Sequence, residues 1–293
     1  MDWYKRPNVI LDKSNPNPGF WRWFKDSRVN VCYNAVDRHL DIADKPAIHY
    51  VGAYENKERT YTWRELHENV AKLAGVFRSL GVKKGDRVII YMPMVPEAVF
   101  GMLAAARIGA IHSVVFGGFA ARELAGRITD CNPALILGAS YGYEPGKVIN
   151  YKTILDEALD IAKDTTAKVL FLQRGDKLTS PVKKGRDFDY ATSMLFAEKV
   201  DCVPVEGDHP LYILYTSGTT GQPKGIVRDS AGTCVTTSWT MKHINDIHKG
   251  DVYFSGSDIG WVVGHHFIVY GPLLRGATTV LYEGKPTGTP DPG

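Results

Sequence analysis

Between residues 61 and 281, short apolar runs alternate with amphipathic stretches, and this rhythm limits the possible folds more than any other feature of the chain. Thr62 and Glu65 have the spacing of a capping box, in which a hydroxyl satisfies free amides at a helix start. Leu66, Val70, Leu73, Ala74, Phe77 and Leu80 then recur at helical spacing, and Gly81 supplies a stop. Residues 87–91 read as a short apolar strand, and Pro96 opens a second helix that runs through 103–106 towards Gly109. Residues 111–115 and 134–137 are strand-like, a helix over 152–163 leads to a strand at 169–172, and further apolar runs follow at 211–215, 252–254 and 278–281. Strands that alternate with helices require crossover connections, so the expected class is α/β, with mainly parallel sheets flanked by helices.

Composition narrows the function. A chain of 293 residues with 44% hydrophobic and 23% charged residues buries a sizeable core without metal or disulfide support. The formal net charge is only +3, and the basic residues are dispersed; Lys83-Lys84 and Lys183-Lys184 read as solvated pairs. A nucleic-acid partner is therefore not expected. Cys32, Cys131, Cys202 and Cys234 are widely separated with no C-x-x-C, which argues against a disulfide framework and a zinc site and suits a reducing compartment. No apolar run approaches the ~18 residues of a membrane span, and the first residues read as neither signal peptide nor mitochondrial presequence, so the expected location is the cytoplasm or the mitochondrial matrix. His265-His266 lacks partners at ligand spacing and reads as a packed or surface pair, and His112 reads as a hydrogen-bonded core residue; no metal ligand is assigned. Phe20-Trp21-Arg22-Trp23-Phe24 is dense in rings and is expected to pack onto the domain. Residues 1–60 are read as an aromatic-rich opening segment and 61–293 as the main domain, with an irregular surface connection over 174–207.

One stretch carries most of the functional information: Thr216-Ser217-Gly218-Thr219-Thr220-Gly221-Gln222-Pro223-Lys224-Gly225, directly after the apolar run 211–215. Ligands of parallel α/β sheets bind beyond the carboxyl ends of strands. Small residues there let backbone amides approach a polyphosphate, hydroxyls add donors, and Lys224 adds a mobile cation. A polar surface turn needs three or four such residues, not ten ending Pro-Lys-Gly. A Walker A loop needs G-x-x-x-x-G-K-[ST], and here Lys224 lies between Pro223 and Gly225, so that pattern fails.

This stretch resembles the signature of the adenylate-forming superfamily, which includes acyl-CoA synthetases, luciferases and peptide-synthetase adenylation domains. Asn34-Ala35-Val36-Asp37-Arg38-His39, Gly85-Asp86-Arg87-Val88, Tyr91-Met92-Pro93-Met94, residues 106–112, Val114-Val115-Phe116-Gly117-Gly118-Phe119 and Ser257-Asp258-Ile259-Gly260-Trp261 are similar to segments of short-chain acyl-CoA synthetases of the propionate or acetate type. The similarity runs from about residue 20 to residue 284.

The resemblance implies a two-step reaction. A carboxylate attacks the α-phosphate of ATP to give an acyl-adenylate and pyrophosphate, and the thiol of CoA then displaces AMP. It assigns Thr216, Ser217, Gly218, Thr219, Thr220, Gly221 and Lys224 to the ATP phosphates, with Lys224 as the catalytic cation. Trp261, Val262, Val263 and Gly264 correspond to the acyl pocket. Val263 stands where acetyl-preferring relatives often carry Thr, which, with Arg228-Asp229, favours propionate over acetate. CoA contacts are implied for Phe116, Gly117, Gly118, Glu144, Pro145, Gly146, Lys147, Val263 and Thr287. Acetyl-type relatives place Arg at both charged positions of the 142–147 stretch, so Glu144 departs from the pattern and Lys147 keeps one cation. The acidic residues that hold ribose and Mg2+, the hinge and a small C-terminal domain lie beyond residue 293 in the family pattern, so the chain is expected to be the N-terminal part of a ligase and inactive alone. The competing expectation is a non-catalytic nucleotide- or CoA-binding fragment or interaction module. Small carboxylic acid, ATP and CoA are the expected partners, with no nucleic acid and no membrane; the oligomeric state is left open.

Overall fold

The structure is a computed structural model that describes residues 1–175, 177–216 and 223–285. Strands β1 (Pro46–Gly52) and β2 (Lys57–Thr62) form a hairpin that leads into helix α1 (Trp63–Ser79). Then follow β3 (Arg87–Tyr91), α2 (Pro96–Arg107), β4 (Ile111–Val114), α3 (Ala121–Cys131), β5 (Leu135–Ala139), α4 (Tyr151–Ala162), β6 (Lys168–Leu172) and β7 (Asp187–Asp189). The hairpin β8 (Pro210–Thr216) and β9 (Lys224–Asp229), helix α5 (Ser230–His243), β10 (Val252–Phe254) and β11 (Thr278–Glu283) complete the two main sheets.

Seven strands form the larger sheet in the order β7-β6-β5-β3-β4-β8-β9, parallel throughout except for β9. Four form the smaller, β10-β11-β1-β2, where only β1 and β2 are antiparallel. The mixed α/β class with a mainly parallel sheet and flanking helices is as the sequence rhythm requires.

Alternation along the strands explains why they read as unbroken apolar runs. Val88 and Ile90 of β3, with Leu135 and Leu137 of β5, face a core built with α1 and α2. Ile89, Tyr91, Ile136, Val169 and Phe171 point the opposite way into a second core under α3 and α4. Both faces are covered, so no polar side is needed. The expected capping box is present: Thr62 accepts from the Glu65 amide and the Glu65 carboxylate accepts from the Thr62 amide at 2.8 Å.

Three expectations need correction. The aromatic opening segment does not pack as a block: Phe20 is 64% exposed and Trp23 47%, while Phe24 alone of the rings is buried. The connection over 174–207 is not wholly irregular, because Asp187–Asp189 adds an edge strand to the larger sheet and Tyr190–Leu195 is a helix. Strand β2 crosses position 60, and β1 and β2 belong to the smaller sheet with β10 and β11, so the division drawn there falls inside an element.

The histidines behave as core groups. His112 is fully buried and its Nε2 lies 2.5 Å from the Tyr270 hydroxyl; its ring stacks on His265 at 5.3 Å. His265, also fully buried, places Nδ1 3.1 Å from the Trp261 carbonyl, and His266 Nε2 lies 3.0 Å from the Tyr212 hydroxyl. Burial disfavours the charged imidazolium, lowering His265 to about 3 and His39 to about 4, and leaving His112 well below its usual range. In the unfolded chain these rings take up protons below pH ~6.5, so their contribution to stability is present above that value and is lost towards the folded pKa values. The expected loss is about 1.4 kcal/mol per pH unit for each ring. Histidine resonances recorded at pH 5.5 should show His39, His112 and His265 neutral, with a lower urea midpoint than at pH 7.5; a ring titrating near 6.5 contradicts its assignment.

Candidate functional site

The carboxyl ends of strands from both sheets point to one place. After β3 comes Met92-Pro93-Met94, after β4 comes Phe116-Gly117-Gly118, and after β5 comes the hairpin Gly142–Glu144 paired with Lys147–Ile149. From the smaller sheet come residues 255–258 after β10 and Gly284-Lys285 after β11. These segments line two adjoining clefts. The wider one, about 480 Å3, is bounded by Phe254, Asp258, Trp261, Tyr282 and Lys285. The narrower one lies among Tyr54, Gly117, Gly118, Tyr143, Glu144 and Tyr151. Met94, Phe116, Asp258, Gly284 and Lys285 border both.

Aromatic contacts set the shape of the junction. Phe116 packs against Trp261 at 5.5 Å and against Phe119 at 5.8 Å. Tyr151, at the first position of α4, fills the space between two loops. A Cβ on Gly117 would fall 1.8 Å from its hydroxyl, and one on Gly142 would fall 2.1 Å from its ring. Those glycines let the β4 and β5 loops close on the same ring. The Pro145-Gly146 turn joins the hairpin, with Gly146 at φ 75°.

A half-buried acid, Asp258, and a buried one, Glu283, line the clefts. Burial raises Asp258, opposed by the Gly260 amide, which donates to it at 2.7 Å, and by the Lys285 cation. Burial also raises Glu283, although Arg174 donates to it from two nitrogens at 2.8 and 2.6 Å and Tyr50 at 2.6 Å. This last cluster ties the end of β11 to the chain leaving β6, and so joins the two sheets at the wall of the narrower cleft.

The sequence-assigned residues divide into groups. Phe116, Gly117, Gly118 and Glu144 share one cleft, and Trp261 joins Phe116 in the other. Pro145, Gly146 and Lys147 sit on the exposed turn and outer arm of the hairpin. Val262 and Val263 are 41% and 45% exposed and line neither cleft. Gly264 is buried, and a Cβ there would meet the Asp258 carbonyl oxygen at 2.0 Å. Thr216 and Lys224 pair as the last described rung between β8 and β9, at the carboxyl end of β8. Ser217, Gly218, Thr219, Thr220, Gly221 and Thr287 lie outside the described residues. Lys285 and Tyr54 were not anticipated, because their places beside the clefts depend on which distant strand ends meet.

One cluster has donor atoms suited to a metal. A sulfur of Cys32, a sulfur of Cys202 and an oxygen of Asp37 lie within 4.8 Å of one another. The Arg107 guanidinium already fills that space. It donates to Asp37 at 2.7 and 3.0 Å and lies 3.5 and 3.1 Å from the two sulfurs. A cation is thus in place without a metal. Among the described residues no helix is long and apolar enough to cross a membrane.

Comparison with known proteins gives this geometry a family. Residues 39–292 match the AMP-binding enzyme family, and residues 1–35 match the acetyl-coenzyme A synthetase N-terminus. The chain belongs to the AMP-binding enzyme family. Its relatives within that family are short-chain acyl-CoA synthetases. The human acyl-CoA synthetase short-chain family member 3, mitochondrial, is 50% identical over 296 residues, covering all of this chain and 43% of that protein. The propionate–CoA ligase of Escherichia coli K12 is 47% identical over 290 residues, covering 98% of this chain and 46% of the ligase. Acetoacetyl-CoA synthetase from Streptomyces lividans superposes with a TM-score of 0.87 at 29% identity, covering 98% of this chain and 43% of that structure. The chain therefore spans less than half the length of the relatives it matches.

Proposed function

We propose that this sequence belongs to a ligase that activates a short-chain carboxylic acid, propionate before acetate, with ATP and passes the acyl group to CoA. The observation that carries the reading is the meeting of strand carboxyl ends from both sheets around Phe116, Trp261 and Asp258, because parallel sheets hold their ligands at such ends. In this reading the amides and hydroxyls of residues 216–221 with Lys224 hold the triphosphate, and their positive character favours the charge that develops on departing pyrophosphate. In this reading Trp261 borders the acid from the wider cleft, Val262 and Val263, exposed beyond that cleft, complete the acyl pocket, and Gly264 lets the chain pass close to the Asp258 carbonyl. Phe116, Gly117, Gly118, Glu144, Pro145, Gly146, Lys147 and Thr287 lie on the CoA side, and Mg2+ accompanies the nucleotide. A valine at position 263 in place of a threonine suits one more methylene, a difference of ~1–3 kcal/mol in such a pocket.

The test is ATP–pyrophosphate exchange with acids from formate to butyrate, measured in a polypeptide of the relatives' full length that carries this sequence and, in parallel, in the 293-residue chain. The expected result is exchange that depends on added acid and is greatest with propionate in the former, and none in the latter. Exchange without acid dependence, or dependence only on an amino acid or an aromatic acid, overturns the reading. A 293-residue chain that sustains exchange alone overturns the assignment of the activity to the longer polypeptide.

A further inference from the structure

Glu144 stands where acetyl-type relatives are expected to carry Arg, an acid where an anionic ligand is expected, and the structure places a cation directly against it. The Lys285 ammonium lies 3.1 Å from the Glu144 carboxylate and 5.5 Å above the centre of the Phe116 ring. Glu144 arrives from the hairpin after β5 of the larger sheet, and Lys285 from the end of β11 in the smaller. Lys285 borders both clefts, so the pair spans the opening where they join.

The supports on either side are rigid by comparison. Tyr143, next to Glu144, donates to Glu55 at 2.6 Å and stacks on Tyr54 at 5.3 Å. Glu283, two residues before Lys285, is held by Arg174 and Tyr50. Both backbones are anchored, while the two side chains that meet across the gap are each about one-third exposed (31% and 32%). A solvated ion pair of this kind is weak. A phosphate offers the ammonium more charge and more acceptor oxygens than one carboxylate does. Lysine, a point charge on a flexible stem, can turn from one acceptor to the other without moving the chain.

We infer that Glu144 and Lys285 form a crossbar over the cleft junction, which a phosphate group of the thiol substrate opens by taking Lys285 from Glu144. The inference rests on the reading that CoA binds on this side. Lys285 thereby supplies a cation that the sequence pattern counts as lost at position 144.

The experiment is a double-mutant cycle on the KM for CoA in acyl-CoA formation, using the full-length polypeptide and the variants E144Q, K285M and the two combined. E144Q releases the lysine and removes a repulsive charge, and should lower the KM about fivefold; K285M should raise it about fivefold. In the K285M background E144Q should lower it by clearly less, about twofold, because only the repulsive charge is removed and there is no cation to release. With pantetheine, which carries the thiol arm but no phosphate, neither single substitution should move the KM more than twofold. An E144Q effect of equal size in both backgrounds, an unchanged KM for CoA, or an equal response with pantetheine overturns the crossbar. If the unmodified enzyme makes no acyl-CoA, the CoA reading itself fails and the crossbar with it; if it does make acyl-CoA and E144Q has no effect, the crossbar alone fails.

Discussion

Lys224→Ala should slow acid-dependent ATP–pyrophosphate exchange by 10²–10³-fold, roughly the loss seen when one preorganised charge-stabilising donor is removed from an active site. The structure makes this substitution clean. Lys224 is the first residue of β9, and its backbone is held opposite Thr216 in the last rung of the hairpin, so truncating the side chain leaves the strand pairing intact. The side chain is exposed and buries no surface on which the fold depends. The urea midpoint of the variant should match that of the unmodified protein. A variant that exchanges within threefold of normal contradicts the role given to Lys224.

The largest effect on stability is expected at Arg107. Its side chain is 2% exposed and bridges three parts of the molecule: Asp37, the Val200 carbonyl at 2.6 Å, and the sulfurs of Cys32 and Cys202. Burial pushes the Asp37 carboxyl up, but hydrogen bonds from His67 and Arg107 outweigh it and hold the group below the usual carboxylate range. Replacing Arg107 by methionine fills similar volume but strands Asp37 without its cation and leaves the Val200 carbonyl unpaired. Breaking one side of a buried pair costs about 3–5 kcal/mol, a large part of the stability of an ordinary domain. R107M should therefore lose that amount in urea unfolding at pH 7.5 under reducing conditions. Replacing Asp37 as well, by asparagine, should recover part of the loss, since no uncompensated charge then remains. A loss below about 1 kcal/mol for R107M would show that the cluster is not the tie that its contacts suggest.

The fold was legible where local chemistry decides it. The helix after Thr62 follows from a cap and an apolar stripe lying within seventeen residues of one another, and the buried strands follow from runs that have no polar side. Strand β2 was missed because much of it faces water. Residues 57–60 are exposed and charged or polar, and their place in a sheet comes from pairing with β1, and through it with β11, more than two hundred residues away. The opening aromatics misled for the opposite reason. Ring density predicts burial only when a surface is available to receive the rings, and here Phe24 finds one while Phe20 and Trp23 do not.

The candidate site divides in the same way. Contiguous motifs marked the loops after β4 and β8 and the segment at 257–264, because each puts its chemistry into consecutive residues. The meeting of Phe116 with Trp261, of Glu144 with Lys285 and of Glu283 with Arg174 could not be seen, since each joins loops from distant parts of the chain. Glu144 illustrates the consequence. As a sequence it reads as a lost cation, and in three dimensions it faces one.

Strand ends from two sheets converge on Phe116, Trp261 and Asp258, and this place is proposed to hold ATP, a small acid and a phosphorylated thiol. A crystal structure of the full-length polypeptide with ATP and propionate tests it most directly. The triphosphate is expected against residues 216–225, with the acid carboxylate between the α-phosphate and Trp261. Nucleotide bound away from residues 216–225, or an acid remote from the Phe116–Trp261 junction, would contradict it.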